Sequence, residues 1–149
     1  MVDYTADLHH CCLSFLDEPA ARLYLARMES VTVAAGKCLF IGDEQADGLH
    51  WVVSGRVAVQ KPTGFAERTQ VVALLDPGAP VGENGLLPGG RHAATVTAVE
   101  ECHLVRLSRR AFDTLAVEEP AAAIALLKWL LGRTSLRLQK NAERLAHVL

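Results

Sequence analysis

The sequence predicts a mainly β domain with helices at both ends. Three observations lead there. Between residues 31 and 107, short β-branched and apolar runs alternate with Gly, Pro and Asp, the texture of a sandwich or barrel. Before and after that stretch the apolar spacing is helical. The chain has 149 residues, 50% of them hydrophobic, which is room for one core and cramped for two.

Taken in order, residues from about Asp7 to Met28 read as helical. Leu13, Phe15 and Leu16, then Leu23, Leu25 and Met28, give two short apolar faces. Asp17 is an N-cap candidate ahead of Pro19, which suits a first-turn position. The β-like runs are Val31–Val33, Lys37–Ile41, His50–Val53, Arg56–Gln60, Thr69–Leu74, Ala94–Val99 and His103–Leu107. Turn signals separate them, among them Gly42-Asp43, Ser54-Gly55, Pro62-Thr63-Gly64 and Asp76-Pro77-Gly78. Ser108 is a candidate N-cap for a short helix through about Val117, and Pro120 opens a long one. Within it Ile124, Leu127, Leu131, Thr134, Leu138, Asn141, Leu145 and Val148 follow a 3-4 spacing, a heptad seam with Thr134 and Asn141 as its polar members. A seam this long is not easily covered by its own barrel, which predicts a homodimer through this helix. Arg133, Arg137, Lys140 and Arg144 recur on a separate stripe, expected to be a solvated basic face.

Composition excludes several classes. A net charge of −2 with 21% charged residues argues against disorder and against bulk attraction to nucleic acid or membranes. The apolar run around Leu126–Leu131 is broken by Lys128 and Gly132, short of a bilayer span. No basic region precedes an apolar core at the N-terminus, so a cytoplasmic chain is expected. Cys11, Cys12, Cys38 and Cys102 then stay reduced. His9-His10-Cys11-Cys12 is not a metal site, because adjacent helical residues point apart. Trp51 reads as a core aromatic, and His50 and His103 as surface or hydrogen-bonded residues. Ser54 and Ser108 sit in turn and cap contexts without a paired His and acid. No catalytic constellation is present, and the chain is not expected to be an enzyme.

The richest stretch runs from Pro77 to Val96. It combines Gly82-Glu83, a short apolar turn, a Gly89-Gly90 bend and the basic pair Arg91-His92 entering a strand. Small residues in a turn expose backbone N–H groups that cradle anions. Glu83 offers an acceptor for sugar hydroxyls. These residues alone suggest a phosphate-and-ribose site.

The order Gly36, Gly42, Leu49-His50-Trp51-Val52-Val53-Ser54-Gly55-Arg56-Val57, Pro77-Gly78, Val81-Gly82-Glu83 and Ala93-Ala94-Thr95-Val96 resembles the cyclic nucleotide-binding domain. This is the family of the catabolite activator protein and the protein kinase A regulatory subunit. The resemblance covers about Val31 to Leu145. It implies a jelly-roll-like β-roll, a double-stranded β-helix, over residues 31–107. A helical part over about 1–30 and C-terminal helices over 108–149 complete a single domain. It further implies a phosphate-binding cassette from Gly82 to Thr95, with backbone of Gly82, Asn84 and Gly85 facing the phosphate, Glu83 taking the ribose 2′-hydroxyl and small Ala93 following the cationic position. Asn141 matches a base-contacting position of the long helix; Ala142 does not. The pattern's arginine falls on His92, with Arg91 one residue early. Adjacent strand residues face opposite ways, so either the Gly89-Gly90 bend re-aims Arg91 or His92 stands in. A histidine in place of a bidentate arginine would cost about 2–4 kcal/mol of binding. If His92 carries the charge, affinity falls between about pH 6 and 8.

The expected function is therefore a stand-alone, non-catalytic regulatory module for cyclic AMP or cyclic GMP, with no other cofactor. It would report through its C-terminal helix, without direct DNA or membrane contact. The alternatives are a degenerate, ligand-free interaction or dimerisation domain with a protein partner, and the sensor part of a Crp/Fnr-type transcription regulator.

Overall fold

In the computed structural model, which describes residues 4–148, the chain begins with helices α1 (Tyr4–Cys12) and α2 (Glu18–Leu25) and ends with α3 (Arg109–Glu118) and α4 (Pro120–Val148). Between them run β1 (Glu29–Val33), β2 (Cys38–Phe40), β3 (Gly48–Ser54), β4 (Val57–Pro62), β5 (Thr69–Leu75), β6 (Pro80–Val81), β7 (Thr95–Ala98) and β8 (Cys102–Ser108). One sheet has the order β1-β8-β3-β6 and the other β2-β7-β4-β5, with every pairing antiparallel. This is the mainly β architecture with flanking helices and a long C-terminal helix that the sequence predicts.

Each of the seven β-like runs overlaps a strand, with Lys37, Ile41, Arg56, Ala94 and Val99 falling just outside. The two-residue β6 had no period to reveal it. The helical reading of Asp7–Met28 needs correction, because two helices meet at a turn there. Leu13, Phe15 and Leu16 lie in that turn, and Leu13 and Leu16 are buried. The break follows from Asp17, whose side chain accepts from Ala20 N at 2.9 Å and starts α2 afresh. Ser108 caps α3 by accepting from Ala111 N at 3.0 Å.

Two apolar clusters result. Val33, Val52, Val57, Val81, Val96 and Leu104 fill the interior of the roll. Leu49, Trp51, Val105 and Leu107 face the other way, towards the helices. Strand β3 is thus buried on both faces, which is why it reads as a continuous apolar run. Trp51, Trp129 and Phe15 stack in a column, with centroids 6.3 Å and 4.3 Å apart. The Tyr24 hydroxyl donates to the Ala122 carbonyl at 2.6 Å and fixes α2 to the first turn of α4.

Helix α4 changes character along its length. Ala122, Ala123, Leu126 and Leu130 are buried, whereas every described residue from Leu131 to Val148 is exposed. The seam residues Ile124, Leu127, Leu131, Leu138, Leu145 and Val148 are all exposed in the single chain. No helix among the described residues is long and apolar enough to cross a membrane.

Candidate functional site

The Pro77–Val96 stretch is held against β3. Val81 pairs with His50, and Gly82 turns the chain in the left-handed region, at φ +82°. A short 3-10 turn follows, Glu83–Leu86. Its Gly85 passes the Gly48 backbone so closely that a Cβ there would lie within 2.6 Å of Gly48 C. The return segment is zipped to residues 43–46. Ala46 N donates to Gly90 O at 2.9 Å, His92 N to Glu44 O at 3.0 Å and Asp43 N to His92 O at 2.8 Å. Asn84 is part of this clamp, since its Nδ2 donates to Arg91 O at 2.9 Å.

That ladder decides between Arg91 and His92. The two side chains alternate as on a strand. Arg91 points outward, and its Nη1 donates to Asp43 O at 2.8 Å. The Gly89-Gly90 bend does not re-aim it. His92 points inward and is 8% exposed. Its ring lies on Phe40, centroids 3.5 Å apart and 7° between planes. Both rings sit under Gly82, where a Cβ would meet Phe40 at 3.2 Å and His92 at 3.4 Å. The His92 Nδ1 finds no hydrogen-bond partner. Burial holds this imidazole below its ordinary pKa, against the pull of Glu44 and Asp47.

His50 also neighbours Phe40, its ring tilted by 43° with the centroids 6.0 Å apart. It was expected at the surface or hydrogen-bonded. It is instead buried, with a partnerless Nδ1. Burial first, then the charges of Arg106 and His92, push its pKa down to about 4, with Asp47 pulling the other way. The register explains the Arg106 part of this, for His50 pairs with Arg106 across β3 and β8.

Glu83 is engaged from outside the cassette. Its Oε1 accepts from Arg137 Nη2 at 2.7 Å, with Glu83 33% and Arg137 62% exposed at the side chain. Sequence reasoning placed Arg137 on a solvated stripe and missed this contact. The signal was present, because Leu126 and Leu130, both buried, continue at 3-4 spacing as Arg133, Arg137, Lys140 and Arg144. The basic residues therefore prolong the row that α4 packs on the core. Arg133 stacks over Trp129, 5.2 Å from the ring centroid. Asn141 is exposed, one residue past Lys140 and hence about 100° round the helix from it. Ala93 is exposed at the bend before β7.

Other clusters do not form a second centre. Among the described residues, no three His, Cys, Asp or Glu side chains are grouped to hold a metal ion. His9 has a different role, its Nε2 lying 2.8 Å from the Leu16 carbonyl across the α1–α2 turn. A groove of about 440 Å3 near Cys11, Pro77 and Trp129, and another of about 330 Å3 near Asp47 and Arg109, are lined by no cassette residue.

Several known proteins resemble this chain. The chain is 35% identical over 99 residues to the cyclic AMP receptor protein of Thermus thermophilus, covering 66% of this chain and 45% of that one. The N-terminal domain of a transcriptional regulator from Streptomyces coelicolor superposes with a TM-score of 0.72 at 30% identity, covering 85% of this chain and 87% of that one. The regulatory domain of Toxoplasma gondii protein kinase A, solved with cyclic AMP, gives 0.68 at 28% identity, covering 76% and 46%. The chain also matches fungal lysophospholipases, that of Neurospora crassa at 29% identity over 109 residues, or 71% of this chain. It spans only 7% of that enzyme's length. The model of the cyclic nucleotide-binding domain matches residues 30–119, and with the β-roll, the Gly82-Glu83 turn and the long terminal helix in place, the chain belongs to the cyclic nucleotide-binding domain family.

Proposed function

We propose that this chain is a non-catalytic regulatory module that binds cyclic AMP or cyclic GMP in the Gly82–Thr95 cassette and relays binding through α4. Domains of this family are generally regulatory, and the enzymes among its relatives carry other domains. The observation that carries the proposal is the 2.7 Å contact between Glu83 and Arg137. It joins the carboxylate suited to a ribose hydroxyl directly to the helix suited to report on it. The Thermus relative's name and the cyclic AMP in the Toxoplasma structure support the ligand class. The free thiols at Cys11, Cys12, Cys38 and Cys102 suit a cytoplasmic setting. Calorimetric titration with each cyclic nucleotide tests the reading. Saturable binding is expected, weakened about tenfold or more in Glu83→Gln, which loses a charged acceptor. Silence at millimolar concentrations of both nucleotides would sink it.

The second reading, a ligand-free dimerisation or interaction domain, is favoured by the neutral His92 stacked on Phe40 where the family has a cation. Both readings use the seam of α4 as a homodimer contact. Light scattering is expected to give the mass of two chains. Leu131→Glu/Leu138→Glu is expected to give one, since both side chains are exposed in the single chain and the fold does not need them. A wild-type monomer at tens of micromolar would remove the dimer from both readings. The likeness to the Streptomyces regulator domain supports a place as the sensing part of a transcription regulator.

A further inference from the structure

We infer that the positive charge that meets the ligand's phosphate in this chain comes from α4, through Arg137 backed by Lys140, and not from the cassette. This rests on the reading of residues 82–95 as a cyclic nucleotide site and assigns the residue that sets its preference for an anion.

The cassette's own cations are committed elsewhere. Arg91 points away and donates to Asp43 O, and turning it inward would break the ladder that joins residues 90–92 to residues 43–46. His92 is buried under Gly82 against Phe40 and kept neutral by that burial. Arg109, at the far end of the 3-10 turn, donates to the carbonyls of Leu87 at 2.9 Å and Ala46 at 3.5 Å. Arg106 is paired with Asp47 at 2.7 Å and lies 3.6 Å from Glu29.

Arg137 is in the opposite situation. One nitrogen holds Glu83, and its side chain is 62% exposed. A guanidinium carries five N–H donors in a planar fork, so one edge can keep the carboxylate while the other takes a phosphate oxygen. The neighbours strengthen the case. The row that buries Leu126 and Leu130 becomes Arg133, Arg137, Lys140 and Arg144 as α4 passes the cassette. Lys140 follows Arg137 by about 4.5 Å along the axis and Arg144 by about 10 Å. Such a row raises the local concentration of anions. The helix therefore supplies what the His92 position lacks. Ligand occupancy and the position of α4 become one equilibrium, because the charge that binds is carried by the element that moves.

Titration of cyclic AMP into the wild type, Arg137→Gln, Glu83→Gln, the double variant and Arg91→Gln decides the matter. Arg137→Gln is expected to bind at least tenfold more weakly, with Arg137→Lys recovering part of the loss. Arg91→Gln is expected to bind as the wild type does. The double variant is expected to be weaker than Glu83→Gln alone, because Arg137 acts on the phosphate and not only on Glu83. Affinity is expected to stay level from about pH 6.5 to 8, since no imidazole carries the charge. Unchanged binding by Arg137→Gln would overturn the inference, as would a double variant no weaker than Glu83→Gln or a large loss in Arg91→Gln. In each of those cases the cyclic nucleotide reading survives. A wild type that binds no cyclic nucleotide removes that reading, and this inference with it.

Discussion

Gly85→Ala is expected to lower stability by about 3 kcal/mol or more and to disorganise the cassette turn. The Cβ would lie 2.5 Å from Gly48 N and 2.6 Å from Gly48 C, and closer still to the Gly48 oxygen. These are backbone atoms with nowhere to go. Gly48 pairs with Ser108 at the start of β3, and a Cβ on Gly48 would itself lie 2.9 Å from the Leu107 carbonyl oxygen and from the Arg106 Nε. Gly85 thus presses on the Gly48 backbone and Gly48 on its own strand partner, so a methyl group on either is met at once. Gly132→Ala is the matched control, because nothing lies within 4 Å of a Cβ there. In the interior of α4 it should be neutral or stabilise by up to about 1 kcal/mol. Urea midpoints of the three proteins measure both effects. A Gly85→Ala protein as stable as the wild type would refute the close-approach account.

Acid is the second large lever on stability. An unfolded histidine takes up its proton near pH 6.5, whereas His50 in the fold does so only near pH 4. A depressed pKa in a base means that the unfolded chain binds the proton first. The contribution of His50 is therefore complete above about pH 6.5, is lost as pH falls towards 4, and changes no further below that. The full loss is about 3 kcal/mol. His92, also held low by burial, adds in the same direction. Urea midpoints at pH 7, 5.5 and 4 should fall steadily in the wild type and less steeply in His50→Leu. Parallel slopes in the two proteins would show that His50 does not drive the change.

The features legible in the sequence were those with a period or a cap. Asp17 and Ser108 marked helix starts, Pro120 opened α4, and each run of alternating or β-branched residues became a strand. Features that depend on a distant partner were not legible. His50 reads as a surface or hydrogen-bonded residue because nothing near it in sequence marks it as buried. Its surroundings are set by Phe40 and by Arg106 across the β3–β8 register, both distant in sequence. The choice between Arg91 and His92 turned on hydrogen bonds to residues 43–46, almost fifty positions away. Arg137 lay in between. Its stripe was visible, but only the burial of Leu126 and Leu130 shows that the stripe continues the row by which α4 packs on the domain.

The length of α4 beyond its last buried residue has a mechanical meaning. From Leu130 to Arg137 the helix advances about 10 Å, and from Leu130 to Val148 about 27 Å. A rigid rod pivoting at Leu130 therefore displaces its tip about two and a half times as far as the point where Glu83 grips it. An adjustment of about 1 Å beside the cassette carries Leu145 and Val148 through more than 2 Å, enough to unseat interdigitated side chains in a helix pair. The same ratio works in reverse. A load far out on α4 would strain the Glu83–Arg137 tether with that leverage, so under the proposed function a contact made there would tune what the cassette holds.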